Sequence, residues 1–422
     1  MVINMTPEIK ERIEQIRHGH VPEGSKKTKV GIAPADWQEV RFKIMFSRLS
    51  RRNTENNTNV LTISAQHGLI SQQDFFNKSI ASEDKSNYFL LNKGEFAYNK
   101  SYSNGYPYGA LKRLDLYDNG IVSPLYICFS ATTENTCPDF YAQYFEAGKM
   151  NGEIHAFAQE GARNHGLLNI AVEDFFNSYL LQPSASEQTR ISEILTAQDH
   201  LIDQKEKLLT AKQQQKKYLM QQLLSAKKRL PGFDGKWTQE KLGKFFSERS
   251  ETKCEHLELL AITGTQGVVP RSQLDLKDNS SEDKSKYLRI CVGDIGYNTM
   301  RMWQGVSAYS NYEGIVSPAY TILKPSSSIN AKYFAYLFKM PEVIFLFYRF
   351  SQGLVDDTRN LKYENFKKIS VTYPVDKEEQ DAIVAVLEKA DQEIELLRQS
   401  IEQEKQKKKA LMQLLLTGIV RV

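Results

Sequence analysis

No apolar run in this 422-residue chain approaches the roughly 20 residues that a membrane-spanning helix needs. The opening residues, Met1 to Lys10, have neither the basic nor the apolar stretch of a signal peptide. A soluble, cytoplasmic protein is expected. Cysteine is scarce: Cys128, Cys137, Cys254 and Cys291 form no CxxC. That argues against a zinc site or a disulfide framework and for free thiols in a reducing compartment. Cys254-Glu255-His256 offers two metal ligands, but no matching second pair follows. Neither GxGxxG nor GxxxxGK followed by Ser or Thr occurs, so no phosphate-cradling loop is signalled. The Asn/Asp-Pro-Pro-aromatic box that holds a flipped base in an amino-group methyltransferase is absent. Pro138-Asp139 with Glu146 and Lys149 resembles a nuclease carboxylate cluster only loosely. The Glu–Lys spacing is too long and the second half of the chain has no counterpart, so a surface helix over Phe140–Lys149 is expected. The seven His residues are scattered singly, none beside an obvious nucleophile. A chain of this size without a reaction centre points to binding, with no catalytic residue, metal or cofactor of its own.

What the chain has in excess is repetition. Ser82-Glu83-Asp84-Lys85-Ser86 returns as Ser281-Glu282-Asp283-Lys284-Ser285, and Gly120-Ile121-Val122-Ser123-Pro124 returns as Gly314-Ile315-Val316-Ser317-Pro318. Leu219-Met220-Gln221 returns as Leu411-Met412-Gln413. The order is kept and the offset is close to half the chain. Two copies are too few for a solenoid. A tandem duplication instead implies two similar modules related by pseudo-two-fold symmetry, suited to a partner that is itself two-fold, of which duplex DNA is the common case. Composition allows this: 41% hydrophobic residues with 21 Tyr and 21 Phe can build more than one core. A net charge of +4 is compatible with nucleic acid without diagnosing it.

The chain opens with a short helix, Thr6 standing as N-cap, Pro7 at the first helical position and Gly19 and Pro22 stopping it. A polar linker, Glu23 to Lys29, follows. Trp37 begins a module in which Leu61–Ser64 and Tyr88–Leu91 read as strands, with Asn104-Gly105 and Asn119-Gly120 as turn signals. Strands and short helices mix without strict βαβ alternation, so the class is α+β. From Ser186 the pattern becomes that of a coiled-coil seam: Ile191, Leu195, Gln198, Ile202, Lys205, Leu209, Lys212, Lys216, Leu219 and Leu223. No Gly or Pro interrupts the chain until Pro231-Gly232. Trp237 opens the second module, and Ile383, Leu387, Ala390, Ile394, Leu397, Ile401, Glu404, Lys408, Leu411 and Leu415 repeat the seam. Both stripes are apolar at the ends and polar between. Two such helices in one chain can bury their stripes on each other, and pseudo-two-fold symmetry demands that they run antiparallel. The expected division is 1–30 (helix and linker), 31–184 (first module), 185–229 (first spacer helix), 230–376 (second module) and 377–422 (second spacer helix).

Comparing the copies yields candidate binding positions. Lys85 and Lys284 stand in the identical pentapeptides, and Tyr98-Asn99 matches Tyr297-Asn298. The segments that follow diverge in length and content: Lys100 to Arg113, with Tyr102, Tyr106, Lys112 and Arg113, against Thr299 to Gly305, with Arg301 and Trp303. Aromatic, cationic and amide side chains of this kind reach phosphates and base edges; equally, the aromatics could cover a core edge. Arg163 near Gly161 and Arg359 beyond Gly353 are a further pair. Arg359 could contact phosphate or anchor a turn by pairing with Asp356 or Asp357. Gln266 and Arg271 beside Gly267, and Gln66 and His67 beside Gly68, complete the set.

Taken together, these residues resemble the specificity (S) subunit of type I restriction–modification enzymes over nearly the whole chain. Each module begins at a Trp and carries Gly-Ile-Val-Ser-Pro. Each approaches its helix through Gly…Arg-Asn and then Pro…Glu-Gln (Pro183…Glu187-Gln188, Pro374…Glu379-Gln380), and the helix closes on Leu-Met-Gln-x-Leu-Leu. The first copy departs by ending in Ser225-Ala226 where the second has Thr417-Gly418, and its Arg163 lies closer to the glycine. The resemblance implies two target recognition domains, each reading half of a bipartite, asymmetric site in double-stranded DNA. It implies that the helices act as a spacer docking two methyltransferase subunits. Those subunits would use S-adenosylmethionine to methylate adenine, and restriction subunits would use ATP and Mg²⁺, none of it in this chain. Two other readings stay open: a coiled-coil adaptor binding proteins without DNA readout, and a self-sufficient nuclease or methyltransferase with a cryptic centre.

Overall fold

The computed structural model describes residues 6–64, 67–76, 84–160, 168–264, 266–274 and 283–422. It divides into two compact units, Met1–Glu206 with Gln399–Val422, and Lys207–Arg398. The division cuts each long helix in two, so each unit holds one module with its own stretch of paired helix.

The first unit is built on a four-stranded antiparallel sheet, in the order Phe46–Leu49, Ile127–Ala131, Phe96–Asn99, Ala110–Arg113. Strand alternation sends Phe96, Tyr98, Ile127 and Phe129 to an aromatic core under the helices, while Ala97 and Cys128 face a smaller core beneath the hairpin Leu61–Ser64/Gly68–Ser71. The second unit repeats the sheet order: Phe246–Glu248, Tyr320–Pro325, Ile295–Asn298, Ser307–Tyr309. Ile295 and Tyr297 again face the larger core. Gly296 faces the smaller one, where an added Cβ would lie 2.2 Å from Ile262 Cδ1. The α+β class follows from this mixture, all pairing within the two sheets being antiparallel.

The repeated motifs turn out to be joints of the scaffold. In Gly-Ile-Val-Ser-Pro the glycine lets one strand pass against the neighbouring chain: a Cβ at Gly120 would meet Leu61 Cδ1 at 2.5 Å, and one at Gly314 would meet Glu258 O at 2.5 Å. Asn119-Gly120 therefore lies within the strand Asn119–Val122 and is not the turn its residues suggest; close approach, not positive φ, selects that glycine. In the pentapeptides Asp84 and Asp283 each accept the N–H two residues on, from Ser86 and Ser285, at 2.9 Å. In Glu-Gln, the fully buried Gln188 donates to Pro183 O and Asn135 O and accepts from Cys137 N–H. Gln380 does the same between Pro374 O and Asn330 N–H. The preceding glutamate is also buried. Glu187 accepts from Trp37 Nε1 at 2.9 Å and from Arg421 at 2.6 and 2.9 Å. Glu379 accepts from Trp237 and, at 2.5 and 2.7 Å, from Arg229.

The opening helix runs Pro7–Arg17, with Thr6 at its N-cap making no capping bond. The long helices span Ala185–Leu223 and Lys377–Leu415. Both stop several residues before the expected ends, where Ala226 and Gly418 take left-handed φ of 58° and 66°. Every seam position is buried or half-buried. Within the first unit Asp199 pairs with Lys408, Lys205 with Glu404 and Glu206 with Lys405. Within the second, Lys212 pairs with Glu393 and Lys216 with Asp391. Rising numbers on one helix meet falling numbers on the other in both units, so the pairing is antiparallel. The polar middle of the seam is satisfied across it: Glu404 also accepts from Gln198 Nε2 at 2.8 Å.

A further expectation is overturned. Pro138–Glu146 is a core helix, not a surface one, since Phe140, Tyr141, Tyr144 and Phe145 are all buried. The absence of small or polar residues on its inner stripe is what a buried helix face requires.

Candidate nucleic-acid interface

In both units the chain leaves the sheet at an Asn whose side chain turns back on its own backbone. Asn99 Oδ1 accepts from Ser101 N–H at 3.1 Å and Asn298 Oδ1 from Met300 N–H at 3.0 Å. Each thus shapes the start of the segment that follows.

In the first unit that segment is a tight excursion. Ser103 and Tyr106 pair backbone to backbone around Gly105. The chain closes at Gly109, where a Cβ would lie 2.3 Å from Asn99 O. Tyr102 is left 63% exposed. Tyr106 turns inward: its hydroxyl donates to Glu146 at 2.6 Å and accepts from Lys112 Nζ at 2.9 Å, and Lys112 also ion-pairs with Glu146. Burial and the Glu146 carboxylate push the Tyr106 hydroxyl well above its ordinary pKa. Arg113 is held between Asp115 at 2.7 Å and Asp139 at 2.6 Å. Lys112 and Arg113 are therefore tied to carboxylates, and Tyr102 is the outward group. Arg163 and Gln66 lie outside the described residues.

In the second unit the segment winds into a single helical turn, Met302–Gln304, with Met302 buried and Gly305 closing it at φ 80°. Arg301 is exposed and Met300 45% exposed. Trp303 donates Nε1 to Met300 O at 3.0 Å and stands edge-on to Tyr348, 6.2 Å between ring centroids. Arg359 lies over the Tyr348 ring at 4.0 Å and donates to its hydroxyl at 2.8 Å, while its Nε meets Asp356 at 2.8 Å. Its turn-anchoring contact and its surface position thus coexist. Phe345, 57% exposed, stacks beside Tyr348. Arg301, Trp303 and Arg359 are brought to one surface with Tyr348 and Phe345, which sequence reasoning missed. The usable signal was a helix, Pro341–Phe350, with aromatics beyond its buried Val343–Phe347 stripe.

The remaining candidates sit elsewhere. Lys85 and Lys284 are half-buried turn residues whose carbonyls accept from Tyr88 and Tyr287 N–H. Arg271 opens a short helical turn, half-buried, and the exposed Gln266 lies in the turn of the hairpin Leu260–Thr263/Gly267–Pro270. Among the described residues no three His, Cys, Asp or Glu side chains converge as metal ligands, and no helix is long and apolar enough to cross a membrane.

Residues 277–406, which include this second surface, match the family described as "Type I restriction modification DNA specificity domain". The first module lies outside the match and has the same sheet order as the second. A chain from a structure on complex assembly and conformational transition of the type I R-M system aligns over 92% of this chain and 99% of its own, with a TM-score of 0.54 at 18% identity. The type I restriction-modification S subunit from M. genitalium aligns over 90% and 96%, with a TM-score of 0.53 at 14% identity. At these identities the likeness establishes the fold. No curated protein matches. The resemblance read from the duplicated motifs is borne out, the specificity domain by the family and the architecture by the fold.

Proposed function

We propose that this chain is the DNA sequence-recognition subunit of a type I restriction–modification complex. Each unit reads one half of a bipartite target, and the paired helices set the distance between the halves. The observation that carries this reading is the contrast between constant scaffold and divergent surface. The same sheet order, Asn turn, buried Glu-Gln pair and helix stretch recur in both units. At the same exit from the sheet one unit offers Tyr102 and the other Arg301 and Trp303. Arginine reads guanine edges and phosphates, and aromatic faces pack on bases and sugars. Two different reading surfaces on one scaffold suit a site with two different halves.

The chain works without chemistry of its own in this reading. Two methyltransferase subunits dock on the spacer and carry S-adenosylmethionine, and restriction subunits carry ATP and Mg²⁺. Tethering two modest, salt-dependent contacts makes the second engagement intramolecular, which raises affinity and specificity together. Mapping modified adenines in DNA exposed to the assembled complex tests the proposal. A bipartite motif with unlike halves and a fixed unread gap is expected; a palindromic or continuous motif would refute it.

A further inference from the structure

Each unit has a cleft between its module and its stretch of paired helix, and the two clefts are built from matching parts. In the first unit a cleft of about 350 Å³ is lined by Glu146, Lys149, Lys405, Lys408, Lys409 and Met412. In the second, one of about 520 Å³ is lined by Lys216, Met220, Lys332, Tyr336 and Lys339, among others. Lys408 and Met412 match Lys216 and Met220 in the helix repeat, and Lys149 and Lys339 each precede a buried methionine, Met150 and Met340. Both clefts therefore set a half-buried module lysine against a lysine of the long helix. The helix lysines, Lys408 and Lys216, each have a carboxylate partner, Asp199 and Asp391, while the module lysines have no ion pair among the described residues.

We infer that these clefts bind the phosphate backbone of duplex DNA alongside each recognition segment; the inference rests on the function proposed above. Two features favour DNA over another anion. Both cleft walls are continuous with the recognition segments: Glu146 holds Tyr106 and Lys112, and Lys339 donates to Gly305 O at 2.8 Å and Ser307 O at 2.5 Å. A strand running past either reading surface would meet its cleft. Moreover, the clefts recur while the reading surfaces diverge, as a sequence-independent contact should.

The electrostatics agree. In the first cleft Lys405 and Lys408 have carboxylate partners in Glu206 and Asp199. The side-chain amines of Lys149 and Lys409 have no ion pair or hydrogen-bond partner among the described residues. Burial pushes the Lys149 amine below its ordinary pKa. In the second, burial and the nearby Lys216 bring Lys339 down to about 8. Among the described residues the buried Ser307 hydroxyl on that wall has no hydrogen-bond partner, which leaves it a donor for a phosphate oxygen. Lys216 and Lys332 are paired with Asp391 and Glu388, so the first cleft carries the larger free charge.

The test uses the chain assembled with its methyltransferase subunits, and measures affinity for a target duplex and an unrelated duplex across a salt series. Lys149→Gln with Lys409→Gln should flatten the slope of log K against log salt by about 1.8, two phosphate contacts at about 0.9 each. The change should be equal on both duplexes and leave the modified-adenine motif unaltered. Should the double variant fold poorly, Lys409→Gln alone should flatten the slope by about 0.9. An unchanged slope with normal DNA binding sinks this inference alone. A well-folded variant that no longer assembles with the methyltransferase also overturns it, making the cleft a protein socket. Failure of the unaltered complex to bind duplex at all would remove the proposed function, and this inference with it.

Discussion

Ala226 holds a left-handed backbone, φ 58°, at the position where Gly418 ends the second long helix at φ 66°. A side chain in that region costs about 1–2 kcal/mol, which glycine avoids. Ala226→Gly should therefore stabilise the second unit by about 1 kcal/mol, seen as a raised midpoint in denaturant; no change would mean that the surrounding packing already offsets the strain. The reverse change is not open to Gly418, whose Cβ would lie 2.3 Å from Pro34 Cγ. On the proposed reading surface, Arg301 is exposed and should act on binding, not on folding. Arg301→Ala should move stability by less than about 0.5 kcal/mol while relaxing one base preference in one half-site by about 1–3 kcal/mol. A loss of folding with the motif intact would assign Arg301 to the scaffold. Adding Trp303→Ala removes the edge contact with Tyr348 and should extend the relaxation within the same half-site. Tyr348 and Phe345 were not legible as surface residues in the sequence. A run of aromatics does not say which face a helix will bury, and only packing against Met302–Gln304 decides it.

The long helices were the most legible elements, because a seam at three-four spacing is a local property and the structure buries or half-buries every one of its positions. The spacer role proposed for them makes a prediction about length. Four residues inserted after Gln213 add about 6 Å, but they also rotate everything beyond them off the seam. The facing pairs Lys212–Glu393 and Lys216–Asp391 show that one helix cannot be lengthened alone. Seven residues placed after both Gln213 and Gln392 keep the seam and add about 10.5 Å, close to three base-pair rises at about 3.4 Å. The unread gap in the methylation motif should lengthen by about three base pairs; an unchanged gap in a well-assembled complex would end the ruler idea. The short strands were less legible. Asn119-Gly120 looks like a turn and is a strand, because what selects its glycine is Leu61, distant in sequence.

At the scale of the whole chain, each unit is closed by a residue from far along the sequence. Arg421 reaches Glu187 and Asp36 in the first unit, as Arg229 reaches Glu379 in the second. Removing Arg421 and Val422 leaves Glu187, 4% exposed, with Trp37 as its remaining partner. The cost should be about 2 kcal/mol, below that of a fully buried pair because the arginine is partly in water. Hydrogen exchange should quicken around Trp37 and Leu180 and stay unchanged around Trp237 and Tyr373; uniform quickening would contradict the division into two units. The sequence by itself determined the duplication, the α+β class, the antiparallel helices and the lack of a recognisable reaction centre, since all of these follow from order, period and composition along the chain. Only the tertiary structure decided which charges are spent. Lys112, Arg113 and Arg359 read alike as free cations in a line of residues, and each is already paired once Glu146, Asp139 and Asp356 fold beside it. Charge is a property of the residue, but its availability depends on neighbours that the chain supplies only when folded.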